Sequence, residues 1–176
     1  MLAALAAALT SAHAADAGAG TEPCRDAKVP KVAFVFEGAQ REPHREAVRK
    51  LSEQLGGSAC LRTFDHVSSG VDPDANARFL LGSLGLQRYT LVFLLTPRHA
   101  EPMGRVVKQF PRTTYLQLGG RTQAANLIPY RLHRTADAAP FYRAAAQCAL
   151  DGKPLQGPGV ATGPGSRGRN APALCI

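Results

Sequence analysis

Three short apolar runs constrain this chain more than any other feature: Lys31 to Phe36 (KVAFVF), Thr90 to Leu95 (TLVFLL) and Thr113 to Leu118 (TTYLQL). Runs rich in Val, Phe and Leu, separated by segments of helical periodicity, mark strands covered on both faces by crossover helices. They predict an α/β domain built on a doubly wound parallel sheet of about five strands. In such a sheet ligands bind outside the carboxyl ends of the strands. Functional side chains are therefore expected in Glu37 to Gln40, Thr96 to His99 and Gly119 to Arg121.

The intervening segments fill in the order. After the first strand a turn at Gly38 leads into a helix with Pro43 in its first turn and an inward stripe of Ala47, Val48, Leu51 and Leu55, stopped by Gly56-Gly57. Cys60 to Val67 reads as the second strand, with Leu61, Thr63 and Phe64 inward. Asp72 caps a second helix that has Pro73 at its first position and Ala77, Leu80, Leu81 and Leu84 on its apolar face. Thr90 to Leu95 is the most apolar run and belongs at the centre of the sheet. A third helix spans Glu101 to Phe110 and is stopped by Pro111. Thr113 to Leu118 and a shorter Asn126 to Pro129 supply the last two strands, and a helix from Ala138 to Leu150 closes the ordered part. Right-handed crossovers then give the strand order 2-1-3-4-5.

With 176 residues, 45% of them hydrophobic and no tryptophan, the chain can bury one ordinary core. That core is expected within residues 30–150. Met1 to Thr10 is almost wholly Leu and Ala and runs into Ser11-Ala12-His13-Ala14-Ala15, the small-residue pattern of a signal peptidase site. Residues 1–15 read as a secretory signal peptide, and a periplasmic location follows; the plainer alternative is an Ala-rich helix. The run falls short of the roughly 20 apolar residues that span a bilayer. Cys24 follows Thr-Glu-Pro, which is not the context of a lipid-anchor site. Residues 16–29 form a linker. Residues 151–176, dominated by Gly, Pro, Arg and Ser, lack apolar periodicity and are expected to be disordered.

The formal charge is +8 and the pI about 9.8, yet the cations are scattered. Arg41, Arg45, Arg49 and Lys50 share one helical edge, which reads as a solvated surface rather than a nucleic-acid patch. Cys24, Cys60, Cys148 and Cys175 have no zinc spacing. In an oxidising compartment Cys24 and Cys60 are the first pair to test, since both precede strands at the amino edge. Cys148 and Cys175 are expected to stay free.

The ordered set KVAFVF, then YTLVFLL with AEPMGRVVKQFP behind it, then TTYLQLGG and a strand beginning at Asn126-Leu127 resembles the amino-terminal lobe of the basic membrane protein (BMP) family. These are the purine nucleoside receptor-like substrate-binding proteins of ABC transporters. The likeness covers about Val29 to Ala149. It implies one lobe of a type I periplasmic binding fold, a small polar ligand such as a nucleoside, an ABC permease as partner, no cofactor and no catalysis. The candidate ligand-binding positions at the carboxyl ends of the strands are Glu37, Gln40, His44, Thr96, Arg98, His99 and Gly119, of which His44 best matches the family's pattern. The chain departs from the family in three ways. No aromatic follows the first strand, Pro97 and Arg98 replace a small, glycine-containing turn, and the Gly/Pro/Arg tail stands where a second lobe would begin, as in a single-lobe or truncated protein.

Two other classes remain open. The same strand order serves flavodoxin-like and receiver-like domains, but Glu37 to Pro43 is not a phosphate loop and Leu95-Thr96 stands where a receiver needs aspartate. An interaction module using the basic first helix is the third reading. The sequence contains no GxSxG, HExxH or P-loop motif, and no GxGxxG follows the first strand.

Overall fold

The computed structural model describes residues 24, 26, 28–37, 41–66, 72–95, 100–120, 124–132, 134–155 and 175. The expected signal segment, Gln40, Thr96, Arg98 and His99 lie outside the described residues. The chain runs β1 (Lys31–Glu37), α1 (Arg41–Leu55), β2 (Cys60–His66), α2 (Pro73–Leu86), β3 (Leu91–Leu95), α3 (Ala100–Val107), β4 (Thr114–Leu118), β5 (Leu127–Tyr130), a 3-10 turn (Thr135–Asp137) and α4 (Ala138–Leu150). All strand pairs are parallel, and the order is 2-1-3-4-5.

Side chains alternate along each strand, so the sheet has two apolar faces. On one, Phe34, Phe36, Phe93, Leu95 and Leu116 meet α1 and α4. On the other, Val35, Val92, Leu94 and Tyr115 meet Ala77, Leu81 and Leu84 of α2 and Val107 of α3. The first face is aromatic: Phe34 stacks on Phe93 at 4.4 Å, and the Tyr142 ring stands edge-on to both. Central β3 is buried along its whole length.

Local chemistry ends and starts the helices. Gly56 and Gly57 take positive φ after α1, a region open to glycine at little cost. Asp72 accepts from the Ala75 amide at 2.8 Å, capping α2 ahead of Pro73. Asn126 holds the turn between α3 and β4, its amide donating to the carbonyls of Val107, Phe110 and Thr113. Pro129 is tolerated because β5 is an edge strand.

Two expectations are corrected. Leu61, Thr63 and Phe64 are only half-buried, because β2 lies at the other edge of the sheet and no strand covers its outer side. Cys148 and Cys175 are not free: they form a disulfide, as do Cys24 and Cys60. Leu155 bridges Cys175 and packs on the core, so part of the C-terminal segment is built into the fold.

Candidate functional site

After β1 the chain crosses to α1 on one face, and after β3 to α3 on the other, although β1 and β3 are neighbours. This divergence makes their carboxyl ends the switch point of a doubly wound sheet, the place where such folds form a ligand crevice. Glu37 ends β1 there, half-buried and in register with His66 at the end of β2. Glu37 follows Phe36, which faces α1 and α4, so alternation puts Glu37 and its register partner His66 on the α2/α3 face. Gln117, flanked by Leu116 and Leu118 of the first face, joins them there and is completely buried. Each of the three engages a partner.

The turn after β4 accommodates Gln117. Gly119 has φ of 69°, where a side chain would be strained. At Gly120 a Cβ would lie 2.2 Å from Gln117 Oε1. The two glycines thus do different things: one bends the backbone and the other leaves room for the glutamine amide.

On the opposite face, His44 sits in the first turn of α1. It is 4% exposed, and its Nδ1 lies 2.8 Å from the Tyr142 hydroxyl of α4. Burial pushes the His44 pKa down, so the neutral ring with Nδ1 accepting the tyrosine proton is favoured. Burial also raises the Tyr142 pKa. Tyr130, ending β5, is enclosed beside it, and burial followed by the neighbouring Tyr142 hydroxyl holds its pKa well above normal. At the rim, Arg41 pairs with Asp65, joining α1 to β2.

Of the sequence-derived positions, Glu37, His44 and Gly119 are therefore brought to the carboxyl edge, His44 as a buried group beneath the rim. His66, Gln117 and Tyr142 were not among them, while Gly120 falls in the expected Gly119 to Arg121 turn. Gln117 carried a signal, a lone amide inside an apolar strand. The basic edge of α1 is an alternating ladder, with Arg45 on Glu42, Arg49 on Glu46 and Glu53, and Lys50 on Glu46.

No model of a protein family matches the sequence, and no curated protein does. Among solved structures, the chain is similar to a candidate lipoprotein fragment from Peptoclostridium difficile 630, with TM-score 0.50 and 15% identity over 69% of this chain and 98% of that one. A solute-binding protein of an ABC transporter system from Aeropyrum pernix K1 matches with TM-score 0.45 and 16% identity over 58% of this chain and 28% of that one. A sugar ABC transporter structure from Yersinia enterocolitica subsp. enterocolitica 8081 gives 0.41 and 18% over 70% and 36%. The first likeness is one of fold. The chain spans about a third of the length of the other two, and they add nothing further.

Proposed function

We propose that this chain is a secreted, non-catalytic solute-binding protein of the ABC transporter kind, or a single lobe of one, holding a small polar ligand at the carboxyl edge of its sheet. One asymmetry carries the reading. Among the described residues the buried polar side chains are His44, His66, Thr113, Gln117 and Asn126. Asn126 and Thr113 belong to the turn at the amino edge, where the Asn126 amide is used up on backbone carbonyls. The other three lie toward the carboxyl edge, His66 and Gln117 on the sheet face of Glu37 and His44 on the opposite face. Polar side chains are seldom buried in a core, and their gathering toward one edge supports a recognition role there.

The ligand class, a nucleoside of the BMP type, rests on the family resemblance of the sequence. The two disulfides support an oxidising compartment such as the periplasm. An ABC permease is the partner that such a role would require.

Held by this lobe alone, the ligand stays partly open to water, so affinity measured on this chain should be weak, with Kd on the order of 1 mM to 10 µM. Calorimetry with adenosine and inosine, followed by a panel of small polar metabolites, tests this. Saturable binding of one ligand per chain is expected. The absence of heat or thermal stabilisation across the panel would reduce the chain to a remnant without ligand.

A further inference from the structure

Helix α2 carries a surface that no other described residue covers. Among the described residues the exposed large hydrophobic side chains are Phe79 at 78% and Leu86 at 75%, both on α2. Seven residues apart, they share one face of the helix, about 10 Å from each other along its axis. Gly82 and Ser83 lie between them. One exposed leucine needs no explanation, but two large side chains flanking small ones on a single face form a stripe.

Gly82 sharpens the case. Glycine inside a helix is destabilising relative to alanine, and close packing usually accounts for it. Gly85 has that reason, since a Cβ there would lie 2.2 Å from the Phe110 ring. Gly82 has none among the described residues: a Cβ there meets nothing within 4 Å. A close approach from outside would account for it.

We propose that this face of α2 is the contact of a weak homodimer, two copies pairing antiparallel about the point between Gly82 and Ser83. The residue sizes read alike from both ends of the stripe, Phe79 matching Leu86 and Gly82 matching Ser83, which is the self-complementarity an isologous interface needs. Such a pairing sets Phe79 of each copy on Leu86 of the other, and the small residues let the helices cross closely. Charge selects the place. The chain carries +8, so copies repel over most approaches, yet no charged residue lies between Phe79 and Leu86. The adjacent Arg78 is paired with Asp72 at 3.6 Å.

Four large exposed side chains across the dyad bury roughly 500 Å². With their flanks they stay below the about 1,200 Å² of a standard interface, so the association is reversible and concentration-dependent. Because α2 is antiparallel to the strands, head-to-tail pairing leaves the two carboxyl edges at opposite ends of the dimer. Self-association and ligand binding are separable.

Sedimentation equilibrium on the full chain, with both disulfides formed, should give a monomer–dimer equilibrium with Kd on the order of 100 µM. Phe79→Glu and Leu86→Lys should each weaken it by about tenfold or more. An equimolar mixture of these two variants should regain association, because the new carboxylate and ammonium face each other while the second Phe79–Leu86 contact is intact. Gly82→Ala should raise the thermal midpoint and weaken the dimer at once. A monomer at every concentration up to about 1 mM, association untouched by Phe79→Glu, or a mixture that stays monomeric would each overturn the proposal.

Discussion

At the scale of single residues, the buried contact between His44 and Tyr142 makes the strongest claim. Tyr142→Phe leaves Nδ1 of a buried imidazole without its donor and should cost about 1–3 kcal/mol in urea unfolding. The same contact sets a pH dependence. The His44 pKa is lowered from 6.5 in the folded protein, so the unfolded chain binds the proton more readily. The resulting stability is fully present above pH 6.5 and declines as pH falls from there through the folded value. In His44→Gln an amide oxygen can still accept from Tyr142 but does not titrate, so the part of the decline below pH 6.5 that belongs to this site should disappear. At Gly120 an added methyl collides with Gln117. Gly120→Ala is expected to displace the glutamine and destabilise by about 1–3 kcal/mol, read by the same unfolding curves. The His44–Tyr142 contact could not be found from sequence, since the two lie 98 residues apart and only the folded sheet brings them together.

At the scale of elements, the apolar runs and helical periodicities were enough to place every strand and helix, because burial on two faces imposes patterns that survive in composition alone. What they missed depends on position in the sheet. The inward pattern read into β2 weakens because β2 is an edge, a property of topology rather than of its own residues. Cys148 and Cys175 looked unrelated because one ends a helix and the other follows a Gly/Pro-rich stretch; their partnership depends on how the C-terminal segment returns to α4. Both disulfides lie toward the amino edge, at the start of β2 and the end of α4, away from the carboxyl edge. They close loops of 36 and 27 residues, and chain entropy gives each about 3–4 kcal/mol. Cys148→Ser with Cys175→Ser should lower stability by that order in urea, while ligand affinity at the opposite edge stays the same.

For the whole molecule, a five-stranded parallel sheet with helices on both faces has one end where loops diverge and polar groups gather, and that end is the proposed binding edge. The fold class and strand order were legible in the sequence. The membership of the site was legible only in part, because Glu37 and Gly119 follow apolar runs whereas His66 and Gln117 enter through register and alternation across neighbouring strands. The most direct test is nitrogen-15 NMR of the oxidised protein titrated with adenosine and inosine. Shifts that saturate and map to Glu37, the start of α1, His66 and the turn at Gly119 and Gly120 are predicted. No perturbation up to about 1 mM ligand, or changes gathered at the amino edge beside the disulfides, would contradict the account.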